Sequence, residues 1–275
     1  MSLNTGVEPI ASGKTIVHLD VDPWEIGKNF PAEAALLGDP KTTLPELAAE
    51  VRAHMTTEAR TAAEARVADI TARNGRRRTA IVAKAESLSD AQPIQPMALL
   101  RAIGQALPTN AVVVEEILSS NPGLRDLILS DDPQSYYGLR GGGIGMALPQ
   151  ALGAQLGMPD RPVVALVGDG SALYTIQSLW TAAHERLNVI FVVFNNRSYR
   201  ILKQRTKALD DHAKRTDRYV AMDLTDPSLD YLALARGMGI EAVGATTVQE
   251  AIDALSSGLA DPRPLLIDVA IDSRL

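Results

Sequence analysis

The chain has 275 residues, 46% of them hydrophobic and 22% charged, with a formal charge of -6 and a pI near 5.3. This is a globular composition with enough apolar material for one large α/β domain, or for one domain and part of another, and it excludes a disordered chain. The lack of cysteine excludes disulfides, thiolate nucleophiles and cysteine-ligated metals, and the isolated basic run Arg76-Arg77-Arg78 beside Asn74-Gly75 reads as a solvated turn, so nucleic acid is not an expected partner.

In chain order, Thr15 to Asp22 has the β-branched content of a strand, cut off by Pro23. A loop through Gly38-Asp39-Pro40 follows, and Leu44 to Arg73 carries helical periodicity as two helices meeting near Thr56-Thr57. One strand with its helices cannot bury both faces of a sheet. Residues 1–84 are therefore expected to be the tail of an α/β domain with linker helices. The connector Ala85 to Pro96 then opens a second domain over residues 85–275.

In that second part, helices are expected over Met97–Leu107, Ile144–Leu156, Leu173–Arg186, Leu229–Arg236 and Val248–Leu259. Strands are expected over Ala111–Val114, Val163–Val167, Val189–Phe194, Ile240–Val243 and Leu265–Val269. The alternation predicts an α/β fold, a doubly wound parallel sheet with helices on both faces. No run reaches the length of a membrane span and no basic-then-apolar leader is seen, so a cytoplasmic protein without a membrane partner is expected. The histidines His18, His54, His184 and His212 are too widely spaced for a zinc motif.

Two apolar runs end abruptly in polar residues, Gly168-Asp169-Gly170 and Asn195-Asn196. Ligands of parallel sheets bind beyond the carboxyl ends of the strands, and a single right-handed crossover would bring Asp169 and Asn196 to one point. One carboxylate and one amide are hard oxygen donors suited to Mg²⁺ or Ca²⁺. So few protein ligands leave positions open, which phosphate oxygens usually fill. Gly170 lets the backbone approach a phosphate, and a helix starting beside Ser171 offers free N–H groups. Either motif alone reads equally well as an ordinary turn. The stretch RGGGIGMALP invites a dinucleotide-binding reading but fails it. No strand directly precedes it, and Gly141 leads to Met146 and Gly143 to Leu148 where glycine or alanine is required.

Gly168-Asp169-Gly170 followed by Asn195-Asn196 resembles the signature of thiamine-diphosphate-dependent enzymes. The wider text SYYGLRGGGIGMALP…GDGSALYTIQSLWTAAHERLNVIFVVFNN resembles their benzoylformate decarboxylase and acetolactate synthase large-subunit branch. The likeness runs from about Gln95 to the C-terminus, and VHLDVDPWEIGKNF…LLGDPK is similar to the end of the family's central domain. The resemblance implies thiamine diphosphate and Mg²⁺ as cofactors and a small-molecule 2-keto acid as substrate. It implies that Asp169 and Asn196 bind the metal by their side chains and Ser198 by its carbonyl. Gly168, Gly170, Ser171, Tyr199 and Ser119 would face the cofactor, with Gly170, Ser171 and Ser119 at the diphosphate. Ile144 would wedge the cofactor into its bent form, and Gly142 would offer its carbonyl to the aminopyrimidine. Ile201 is the candidate for the substrate pocket.

Arg200 departs from the glycine common in the family. Gln204 and Arg205 stand where an aromatic wall is expected, which puts an aromatic substrate in doubt. The family's activating glutamate belongs to an N-terminal pyrimidine-binding domain with no counterpart here. Glu115 and Glu116 read as structural or cleft-lining, so no residue of this chain is assigned a catalytic role. The expectation is the C-terminal half of a decarboxylase or carboligase, a homodimer or homotetramer when intact. A natural subunit of a two-chain enzyme and a non-catalytic binding or assembly module are the alternatives.

Overall fold

The computed structural model describes residues 9–139, 141–209 and 212–275. Residues 1–8 of the expected first domain, and Arg140 of the glycine-rich stretch, lie outside the described residues. The chain divides into two compact units, 1–74 and 75–275, a division that falls inside a long helix and ahead of the expected boundary at 84.

In the first unit, β1 (Val17–Asp20) pairs in parallel with β2 (Ala34–Leu37). Helix α1 (Pro40–His54) is started by Asp39, whose side chain accepts the Lys41 N–H, with proline at the first position where its missing N–H costs nothing. Helix α2 (Thr57–Glu86) follows after two residues, so the helices meet where the sequence suggested. Strand β2 escaped the sequence reading because Ala-Ala-Leu-Leu has no β-branched signal. None of the described residues up to 74 is buried.

The second unit runs α3 (Pro96–Ala106), β3 (Val112–Glu116), α4 (Leu124–Leu127), β4 (Tyr136–Gly138), α5 (Ala147–Gly157), β5 (Val163–Gly168) and α6 (Asp169–Ala172). A 3₁₀ turn (Leu173–Thr175) leads to α7 (Ser178–His184), β6 (Val189–Asn195), α8 (Arg200–Ala208), α9 (His212–Thr216), α10 (Tyr231–Gly237), β7 (Glu241–Ala245), α11 (Val248–Ala260) and β8 (Leu265–Ala270). The strands form one sheet in the order β4-β3-β5-β6-β8-β7, parallel throughout. Alternate residues serve opposite faces. Val164, Leu166, Ile190, Val192 and Phe194 pack with Leu99 and Ile103 of α3 and Leu255 of α11. Val163, Val167, Val189, Phe191 and Val193 pack with Leu148 of α5, Leu179 of α7 and Ala235 of α10. Both faces are dry, which is why the central strands read as unbroken apolar runs. The expected doubly wound sheet is the fold observed.

Two helices differ from expectation. The helix anticipated from Ile144 begins only at Ala147, because Gly145 holds φ at +89°, outside the right-handed helical region. The helix anticipated from Leu173 to Arg186 is three pieces, and the first starts at Asp169 itself, directly off the strand. Strand β4 and helix α8 had no counterpart in the sequence reading.

From β3 the chain passes to β4 on one side and then to β5 on the other, so strand order reverses at this pair. Connections leaving a reversal point diverge and open a crevice between the strand ends. The register places Glu116 beside Val167 and Gly168 beside Phe194, so the tips of β3, β5 and β6 are level at this crevice.

Candidate functional site

One cleft at these tips gathers residues far apart in the chain. The loop after β3 contributes Ser119 and Ser120, and the glycine-rich segment contributes Ile144. The tip of β5 contributes Gly168 to Ser171, and the segment after β6 contributes Asn196, Ser198, Tyr199, Arg200 and Ile201. Of the residues assigned from sequence, Gly142 is not brought into this lining; it has φ of +71° and open space where a Cβ would be.

Asp169 is 2% exposed. Its Oδ1 accepts the Gly170 N–H at 2.9 Å and its Oδ2 accepts the Ser198 N–H at 3.2 Å. Burial pushes its carboxyl up to about 6; N–H groups of Gly170, Arg197 and Ser198 counteract this in part, and the charge of Asp268 adds to the rise. Among the described residues no basic side chain forms a salt bridge with it. A buried carboxylate held by backbone N–H groups and without a salt bridge is poorly neutralised, and a bound cation would supply what is missing.

Asn196 lies beside it, also buried. Its Oδ1 accepts from Ser198 twice, from the backbone N–H at 3.1 Å and from the hydroxyl at 2.9 Å. The Ser198 N–H is thus shared between Asp169 and Asn196, which ties the two strand tips together. The tight turn is completed by Arg197 at φ 58°, whose N–H donates to Oδ1 of Asn195. Among the described residues no cluster of three acidic, histidine or cysteine side chains could hold a metal. The donor set is one carboxylate and one amide oxygen with backbone, hard oxygens that fit Mg²⁺ with other positions left for a ligand.

The glycine-rich segment is held by Glu116, a residue that the sequence reads as structural or cleft-lining. Glu116, 1% exposed, accepts the Gly145 N–H at 2.6 Å and the Ala147 N–H at 2.7 Å, one on each carboxylate oxygen. The Gly145 carbonyl accepts from the Thr175 hydroxyl at 2.7 Å. Ile144 stands on this pinned turn, 41% exposed, an apolar side chain presented outward from a fixed base. A Cβ on Gly170 would lie 2.5 Å from the Tyr199 ring, so glycine there is what lets the ring close over the strand tip.

Two buried residues escaped assignment. The Tyr231 hydroxyl donates to the Asp169 carbonyl at 2.6 Å, and Arg200 bridges the loop after β3 to the end of β8. Their partners lie more than sixty positions away, and no local pattern announces them.

The raised Asp169 pKa has a consequence for the metal-free protein. Between the ordinary aspartate value of 3.8 and about 6, the folded chain holds a proton that the unfolded chain has released. Stability therefore falls as pH rises through this window, by up to about 3 kcal/mol, and the loss is complete above it. Denaturation of wild type and Asp169→Ala in chelator at pH 4.5 and 6.5 is expected to show this slope in the wild type and its loss in the variant. Equal slopes would refute it.

The family model for "Thiamine pyrophosphate enzyme, C-terminal TPP binding domain" matches residues 124–269. A benzoylformate decarboxylase of Pseudomonas aeruginosa is 33% identical over 94% of this chain and 44% of its own length. An acetolactate synthase large subunit of Parasynechococcus marenigrum is 32% identical over 96% of this chain and 40% of its own. The crystal structure of benzoylformate decarboxylase from Polynucleobacter necessarius superposes with a TM-score of 0.71 at 27% identity, covering 97% of this chain and 46% of that one. The chain thus spans less than half the length of these relatives. Among the described residues no helix is long and apolar enough to cross a membrane. Fold, strand-tip chemistry and family model agree, and the chain belongs to the thiamine pyrophosphate enzymes, with residues 124–269 forming their C-terminal TPP-binding domain.

Proposed function

We propose that this chain is the thiamine-diphosphate- and Mg²⁺-binding C-terminal part of a 2-keto acid decarboxylase or an acetolactate-synthase-like carboligase. The observation that carries the reading is the buried Asp169 carboxylate, which has no salt-bridge partner among the described residues and is tied through Ser198 to Asn196 at the reversal point of the sheet. Asp169 and Asn196 hold the metal by their side chains and Ser198 by its carbonyl. Gly168, Gly170, Ser171 and Ser119 face the cofactor, the last three at the diphosphate. Tyr199 covers Gly170, Ile144 supports the bend of the cofactor, and the Gly142 carbonyl serves its aminopyrimidine. Ile201 borders the substrate.

When bound, the cofactor supplies the electron sink for loss of CO₂ from a small 2-keto acid. This chain's share is to fix the anionic end and to exclude water around it. The activating glutamate comes from a pyrimidine-binding domain outside this sequence, in a homodimer or homotetramer. Relatives named for decarboxylation and for acetolactate synthesis match at similar identity, which keeps both outcomes within the proposal.

Calorimetric titration of thiamine diphosphate into the chain, with and without Mg²⁺, tests the site. Binding that requires the metal is the expected result, and no binding in either condition overturns the proposal. The purified chain is expected to show no turnover of pyruvate or benzoylformate. Robust decarboxylation would refute the division of labour between domains.

A further inference from the structure

Arg200 is 6% exposed, yet among the described residues it forms no salt bridge. Its hydrogen bonds all end on neutral oxygens. Nε donates to the Ser119 hydroxyl at 3.2 Å, and Nη1 donates to the Asp272 carbonyl at 2.6 Å. Nη2 donates to the Ser119 carbonyl at 3.2 Å and to the Ser120 hydroxyl at 2.7 Å. The Asp272 carboxylate is turned away, paired with Arg274 and hydrogen-bonded by Gln95. Burial disfavours the guanidinium charge, and Asp169 and Asp272 act on it only through space. A buried cation that reaches no anion within the protein is expensive unless a ligand supplies one.

The two serines offer such a ligand its donors. A hydroxyl has one proton to donate, and one that accepts from a guanidinium turns that proton away from it. Among the described residues, neither the Ser119 nor the Ser120 hydroxyl has an acceptor for its own proton. Both serines and Arg200 line the cleft that holds Asp169, and Arg200 is within Coulombic reach of that carboxylate. An anion on a metal at Asp169 therefore lies within the same field.

We infer that Arg200 is the positioning residue of an anion subsite: it occupies the lone pairs of Ser119 and Ser120, turns both hydroxyls into donors toward the terminal phosphate of the cofactor, and leaves its own charge as the counter-ion. The inference rests on the cleft being the thiamine diphosphate site. It adds a protein cation to an anion site otherwise built from the metal, backbone N–H groups and hydroxyls, and charge-assisted donors are the strong ones.

The test is the dissociation constant of thiamine diphosphate and of thiamine monophosphate, which lacks the terminal phosphate, at saturating Mg²⁺. Wild type, Arg200→Gln, and the pair Ser119→Ala with Ser120→Ala are compared by calorimetry on the full chain. Arg200→Gln is expected to weaken diphosphate binding about tenfold while leaving the monophosphate unchanged, and the serine pair to do the same. Adding Arg200→Gln to the serine pair is expected to cost less than the product of the separate losses. Equal weakening of both ligands would mean that Arg200 only supports the loop, and unaltered diphosphate binding would remove it from the site; either result overturns the inference. If Arg200→Gln fails to fold, the serine pair, which keeps the guanidinium, decides by the same ratio. A wild type that binds neither ligand overturns the cofactor reading as well, whereas wild-type binding with an unchanged ratio overturns this inference alone.

Discussion

Replacing Asp169 by alanine is expected to weaken Mg²⁺-dependent binding of thiamine diphosphate by at least about 100-fold and to leave the sheet folded. The first half follows from the donor set. The proposed metal site has a single carboxylate, so its removal takes away the one charged ligand of the proposed donor set. The second half follows from two opposing terms. The variant loses the acceptor for the Gly170 and Ser198 N–H groups, which destabilises. It also loses a buried carboxylate whose charged form the fold disfavours, which stabilises. The core strands pack through Val163 to Val167 and Val189 to Phe194 and do not depend on this side chain. Titration gives the affinity and far-ultraviolet circular dichroism the fold; unchanged affinity would remove Asp169 from the site.

Replacing Glu116 by alanine is expected to lower stability by about 3 kcal/mol, the larger effect on the fold. Its carboxylate serves two backbone N–H groups at once, those of Gly145 and Ala147, and truncation strands both. Each buried donor left unsatisfied costs about 1 to 3 kcal/mol. Glu116→Gln separates this account from simple packing. The amide keeps the volume but brings a donor where an acceptor is needed, so it too is expected to destabilise, by more than about 1 kcal/mol. Chemical denaturation measures both, and a glutamine variant as stable as wild type would show that volume alone matters here.

The sequence was most readable where the fold is most buried. Strands covered on both faces leave continuous apolar runs, and a polar residue ending such a run must emerge at the strand tip. That made Asp169 and Asn196 visible and placed them together before any coordinates. What stayed hidden has a common character. Arg200, Glu116 and Tyr231 act through partners distant in the chain, and a single charged or aromatic residue in an apolar stretch does not say which backbone atom it will meet. The start of α5 was misplaced because Gly145 reads as any glycine until its φ is known. Strand β4 has three residues, too few for alternation to register. The polar strand tips were thus legible as a motif, and the struts that hold them were not.

The hydrogen bond from Tyr231 to the Asp169 carbonyl divides that one residue between two tasks. Its backbone oxygen is committed to α10 and its side-chain oxygens remain for the cleft. Helix α10 lines no part of the cleft, yet any shift of the Asp169 backbone must stretch or break its phenol contact, in an enclosed setting where Tyr231 is 1% exposed. The tyrosine therefore acts as a strut that couples the strand tip to the helical layer behind it.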